Sequence, residues 1–275
     1  PEAEQEIQKA FVRALKSGSN TYYKIQEAKS LNFLDEQILE LLQKPANLSP
    51  EKVNPDAEIL LKGYAFFGFP EKIYDEFLTV KDVSSKTAFF LSDFLNKCAT
   101  EKDDFYTQSL RIAVSAAKKS NVPLTLQQLK LIYPQNFSEI VEACAQKYQI
   151  PSFIMYALIR SESFFDADVI SSAGAIGLTQ LMEFTAGDIA RKLRVKNYEL
   201  TDPAINIEFG TYYLAELLSR TNNSYLHAFM SYNAGITRVR RWSKKNLNDE
   251  LFLEIVPYEE TREYGRKLIS ASTIY

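Results

Sequence analysis

From residue 22 to residue 148, apolar residues recur at helical spacing in one stretch after another, with only short polar connections between them. That pattern predicts an all-α chain. Helices are expected over about Glu2 to Ser17, Tyr22 to Leu31, Phe33 to Leu42, Asp56 to Phe67, Pro70 to Phe77, Ser85 to Cys98 and Asp104 to Lys119. Gly18, Lys44-Pro45 and Gly68 with Pro70 supply the stops. Nine glycines and ten prolines in 275 residues leave little material for loops, which favours the same reading. Short links imply antiparallel neighbours, hence an α-solenoid or helical-hairpin array. No fixed period with recurring signature residues is present, so a strict tetratricopeptide repeat is not supported. Tyr22-Tyr23, Phe66-Phe67, Phe89-Phe90 and Phe94 are expected to pack within or between these helices.

The length suits two domains. Asn121-Val122-Pro123 breaks the array, so residues 1–122 are expected to form the helical segment. Residues 123–137, with a helix over Thr125 to Ile132 closed by Tyr133-Pro134, read as a linker; residues 138–275, opening with a helix over Ser138 to Tyr148, read as the second domain. A net charge of −3 gives no global basic field that would draw the chain to nucleic acid. Cys98, Cys144 and the single histidine, His227, form no metal-ligand spacing, so neither metal nor other cofactor is expected, and the two thiols read as buried and free, with a disulfide as the alternative. No apolar run would span a bilayer, so no stable membrane insertion is expected. Beginning at Pro1, the chain reads as a mature or trimmed product without a signal peptide.

The chemistry gathers between Arg160 and Met182, in the sequence RSESFFDADVISSAGAIGLTQLM. Ile154 and Leu158 stand eight and four residues before Glu162, so this carboxylate continues an apolar face. Its helix should start near Pro151 and end near Ser163, placing Glu162 in the last turn. Desolvation and the negative end of the helix dipole would both raise its pKa, the tuning a general acid needs. Ser171 to Gly177 forms a run of small residues with two glycines, and Leu178 to Met182 is expected to open the next helix. Together they would wall one side of a cleft. Asp202 before Pro203 reads as a helix cap, and a later helix from about Ser224 to Tyr232 should end in Asn233-Ala234-Gly235.

Glu162-Ser163, the Ser171 to Met182 segment with its Gly-Leu-x-Gln core, Ser231-Tyr232-Asn233-Ala234-Gly235, and Pro257-Tyr258-Glu259-Glu260-Thr261-Arg262 occur in that order. Over roughly residues 138 to 275 they resemble the motifs of the soluble lytic transglycosylases. The resemblance implies a lysozyme-like catalytic domain preceded by the end of a helical superhelix. It implies action on bacterial peptidoglycan in the periplasm of a Gram-negative organism, with glycan strands and muropeptides as partners, and it leaves the oligomeric state open. It makes Glu162 the catalytic acid and then base, and gives Ser163, Ser171, Gln180, Met182, Tyr232, Asn233 and Glu260 to substrate binding.

Each of these residues also has a plainer reading. Ser163 could bond a free helix-end carbonyl, Ser171 could be a turn serine, Gln180 a helix-surface amide, Tyr232 a buried structural phenol, and Glu260 an acid stabilised at a helix N-terminus. The family often has a second glycine where this chain reads Gly235-Ile236-Thr237-Arg238-Val239. The basic aromatic run Arg238 to Trp242, followed by Lys244-Lys245, reads as a solvated helix face or a contact for peptidoglycan carboxylates. No nucleophilic carboxylate is evident beside Glu162. The resemblance therefore implies cleavage of the β-1,4 bond between N-acetylmuramic acid and N-acetylglucosamine, giving 1,6-anhydromuramoyl products, with the substrate N-acetyl group assisting. The alternatives are a hydrolytic muramidase on the same scaffold and an inactive peptidoglycan-binding scaffold.

Overall fold

The structure, a computed structural model, describes residues 21–30, 32–44, 49–100, 103–243 and 247–275. Among these residues the regular structure is fifteen helices, with two isolated β-bridges in one loop. The helix expected over Glu2 to Ser17 lies outside the described residues. The chain divides into two compact units, residues 1–134 and 135–275.

In the first unit α1 (Thr21–Ser30) and α2 (Asp35–Leu42) share a small core of Ile25, Ala28, Ile38 and Leu41. The larger core belongs to α3 (Pro55–Phe67), α4 (Pro70–Thr79), α5 (Ser85–Cys98), α6 (Phe105–Lys119) and α7 (Leu126–Ile132). Local chemistry sets the helix starts. Asn54 accepts from the Asp56 and Ala57 amides with Pro55 next in line, Ser84 caps α5, and Thr125 with Gln128 forms a capping box on α7. Inside the α5–α6 contact Ser92 and Ser109 each donate to the other's backbone carbonyl, at 2.9 and 2.7 Å. Such small residues let the two helices close tightly without stranding a polar group.

Two expectations for this unit change. The helix expected to be a linker, α7, buries Leu129, Leu131 and Ile132 in the unit's own core, and the division of the chain falls after it. Phe66, Phe67 and Phe90 are exposed rather than packed: the first two sit off the buried stripe of α3, Ala57, Leu61 and Ala65, and Phe90 sits off that of α5, Ala88, Leu91 and Leu95. Tyr22 and Phe89 are buried. Cys98 and Cys144 are free thiols, Cys144 buried and Cys98 only partly so.

The second unit is built around α9 (Ser152–Glu162), where Ile154 to Ile159 are each no more than 1% exposed. A helix apolar on all sides must be surrounded. This one packs directly on α8 (Ser138–Tyr148) and α15 (Glu259–Ile274); α11 (Pro203–Arg220) packs on α8, α12 (Tyr225–Ala234) on α11 and α15, with α10 (Glu183–Leu193) against α11, α13 (Ile236–Trp242) against α12 and α14 (Asp249–Ile255) against α15. Asp202 and Ser224 cap α11 and α12 by accepting from the Ile205 and His227 amides. Glu162 is the last residue of the central helix, so it leaves the core where the helix does.

Candidate active site

Glu162 is partly buried and its carboxylate accepts the hydroxyl hydrogen bond of Tyr264, which sits on α15. Burial pushes its pKa up to about 7, against the smaller opposing effects of the Tyr264 hydroxyl and the Lys267 ammonium. Tyr264 and Lys267 are three residues apart on one face of α15. Lys267 donates to the Ser161 carbonyl at 2.9 Å, a cation on the C-terminal end of α9 where the helix dipole favours one. Its own pKa is lowered by burial and by Arg160. The Phe164 ring lies 5.7 Å from both Arg160 and Lys267, bringing aromatic carbon and two cations to the end of the helix.

Tyr232, on α12, donates to the Thr179 carbonyl at 2.8 Å. Its pKa and that of Tyr264 stand well above the usual phenol value, raised first by burial and then by the nearby Glu162 charge. Both phenols therefore keep their protons at neutral pH and act as donors. That leaves Glu162 as the group at this end of α9 poised to gain and lose a proton near pH 7.

The segment after α9 is a compact loop, not the early helix expected from Leu178. Phe164 and Phe165 both take positive φ, 55° and 62°, and so does Gln180, at 49°. Helix α10 begins only at Glu183, with Met182 as its cap residue. Bridges pair Ile176 with Ile170 and with Leu181. Gln180 spends its amide nitrogen on the Val169 and Gly177 carbonyls, at 3.1 and 2.9 Å, so it braces the loop. Ser171 does likewise, its hydroxyl accepting from the Ala175 amide at 3.0 Å.

Asn206 of α11 holds the loop from beneath. Its side chain is buried, donates to the carbonyls of Ile176 and Leu200, and accepts from the Thr179 amide and hydroxyl, both at 2.7 Å. Gly177 has φ +74°, and a Cβ there would stand 2.4 Å from the Asn206 amide nitrogen and from the Leu200 carbonyl oxygen. Gly210, one turn along α11, has the Thr179 side chain at 2.5 Å from where its Cβ would be. Ser163 completes the attachment: it is buried and its hydroxyl contacts the carbonyls of Ile159 and Leu178, at 3.1 and 2.9 Å. This hydroxyl thus ties the end of α9 to the loop.

The structure gathers Glu162 and Tyr232 around Tyr264. Met182 is exposed at the far end of the loop. Asn233 and Glu260 meet elsewhere, lining a hollow of about 260 Å³ with Arg238, Tyr258 and Thr261, where the Thr261 hydroxyl donates to Asn233 at 2.9 Å. Glu260 stands exposed in the first turn of α15. Sequence reasoning missed Tyr264, Lys267, Thr179 and Asn206. For Asn206 a signal existed: an amide four residues before Gly210 and eight before Leu214 lies on the buried stripe of α11 and must be satisfied there.

Residues 139–252 match the family model described as the transglycosylase SLT domain. The soluble lytic murein transglycosylase of Escherichia coli K12 is 30% identical over 150 residues, covering 52% of this chain and 23% of that protein. A putative soluble lytic murein transglycosylase of Haemophilus influenzae is 33% identical over 175 residues, 61% of this chain and 29% of the relative. Among solved structures, an inactive mutant of the lytic transglycosylase Slt from Pseudomonas aeruginosa superposes with a TM-score of 0.74 at 21% identity, over 96% of this chain and 42% of that one. The 70-kDa soluble lytic transglycosylase in complex with bulgecin A gives 0.75 at 21% identity, over 100% and 43%. The chain thus spans less than half the length of these proteins.

Proposed function

Because the chain belongs, through its second unit, to the lytic transglycosylase family, we propose that it cleaves peptidoglycan without water, with Glu162 as the proton carrier. The protonated Glu162 gives its proton to the oxygen bridging N-acetylmuramic acid and N-acetylglucosamine, and the C1–O bond breaks. The N-acetyl group of the substrate assists the developing cation. The carboxylate then takes the proton of the O6 hydroxyl, whose oxygen closes on C1 to give the 1,6-anhydro product.

One observation carries this reading: a carboxyl held at about 7 by burial whose acting neighbours are a phenol and an ammonium, with no carboxylate among them. A retaining glycosidase of the ordinary kind places a second carboxylate roughly 5 Å away as nucleophile. A single carboxyl near neutrality suits the two proton transfers instead. Tyr264 steadies its ionised form between them. The rigid loop from Gly177 to Met182 and the Tyr232 ring would form the sugar-binding wall. Asn233 and Glu260 would contact the strand farther along, and peptidoglycan strands and muropeptides of a Gram-negative periplasm would be the partners.

Mass spectrometry of the products from purified cell wall tests the proposal. Anhydro ends support it; ends one water heavier identify a muramidase, and no release identifies a binding protein.

A further inference from the structure

The second unit holds another cavity, of about 280 Å³, whose lining includes Arg220, His227, Arg240, Trp242, Ser243 and Phe252. It collects the C-terminal end of α11, the first turn of α12, the last turn of α13 and the middle of α14. None of the residues at the end of α9 belongs to it. Its charged lining residues are the two arginines, beside the neutral polar Thr221, Asn222 and Ser243. Arg240 is exposed and one of its nitrogens reaches the Arg220 carbonyl at 3.4 Å, a neutral acceptor, and no carboxylate among the described residues pairs with it. Arg220 is half balanced by Glu216, 3.3 Å away on its own helix. His227 packs edge-on against Phe252, ring centres 4.2 Å apart, and its Nε2 is buried with no hydrogen-bond partner. Asp249, the carboxylate near this ring, accepts from the Ser224 hydroxyl at 3.1 Å, a neutral donor that leaves its negative charge in place beside His227. The Trp242 indole supplies an apolar wall and meets the Tyr258 ring at a tilt, ring centres 5.6 Å apart.

We propose that this cavity is a recognition site for the free carboxylate of a short peptide. One guanidinium that no described carboxylate pairs with, a second that is half balanced and an indole wall suit a single planar anion carried on a small aliphatic group. The volume admits one or two amino-acid residues and excludes a sugar chain of several rings. Resting on the function proposed above, the source of that peptide is the stem that peptidoglycan carries, so the cavity would let the enzyme read whether a strand is peptide-bearing. Tyr258 connects the two regions, since its ring contacts Trp242 and also lines the hollow of Asn233 and Glu260.

The chain carries its own reporters: Trp242 is its only tryptophan and His227 its only histidine. Titrating the full chain as the Glu162→Gln variant, to stop turnover, with a sugar-free stem peptide should give a saturable change in tryptophan fluorescence and move the His227 ring signals in an NMR spectrum. The same peptide amidated at its carboxyl groups should bind at least tenfold more weakly, and Arg240→Ala should weaken the free acid by a similar factor with an unchanged melting temperature. No saturable response, an equal response to the amidated peptide, or an equal response to inorganic phosphate overturns the proposal. Because binding is read without turnover, loss of this site and loss of the transglycosylase reading are separate results. A chain that binds the peptide but releases no anhydro product keeps the first and drops the second.

Discussion

The Tyr264 hydroxyl donates to the Glu162 carboxylate across 102 residues of sequence, joining the end of the buried central helix to the last helix of the chain. It stabilises the ionised carboxylate, while burial disfavours it, and burial is the larger effect. Replacing Tyr264 with Phe removes the opposing contribution. Glu162 should then titrate higher still, by about one unit for a hydrogen bond to a charged group. The high-pH limb of kcat/KM should move up with it, and an unmoved limb would break the assignment of Glu162 as the titrating group.

With Glu162 at about 7 in the folded chain against 4.5 for an ordinary glutamate, the native state binds the extra proton between these values. Stability therefore falls as pH rises from about 4.5 to 7, and the loss is complete above that window. Glu162→Gln should abolish turnover and at pH 8 stabilise the fold by up to about 3 kcal/mol, with little effect at pH 4. Urea denaturation of both proteins at the two pH values measures the difference.

The loop makes a separate prediction. Gly177→Ala forces a methyl into the Asn206 amide and the Leu200 carbonyl at a positive φ, which should cost about 2–4 kcal/mol. Asn206→Ala strands the Thr179 amide and two carbonyls and should cost a similar amount. Chemical denaturation reads both, and activity should fall with them.

Ser163→Ala distinguishes the two readings of this serine. As a tie between the Ile159 and Leu178 carbonyls it should cost about 1 kcal/mol of stability and lower kcat, leaving KM and the pH profile in place. A rise in KM with unchanged stability would instead make it a substrate contact.

Much of the helical frame was legible because it is local. Ser85 to Cys98 and Ser138 to Tyr148 follow from their stripes and stops, and Glu162 could be placed at the end of its helix by counting turns back to Ile154. The loop was not legible by the same means. Leu178 to Met182 has helical residues in helical order, yet contacts of Thr179 with Asn206, and of Gln180 with Val169, hold it open, and those partners lie 27 and 11 residues away. Tyr264 is farther still. A stripe reports which face is apolar; it does not report which polar residue will reach across.

Gly177 and Gly210 have no room for even one added carbon, and they stand on opposite sides of the Thr179 contact. On the proposed function, the sugar-binding wall would thus be set before any sugar arrives and could not mould itself to one. Changes in preference would then be confined to the outward rim, at Ser172, Ala173, Met182 and Phe184, where side chains already face water. There, variation could accumulate without disturbing the proton chemistry proposed for Glu162.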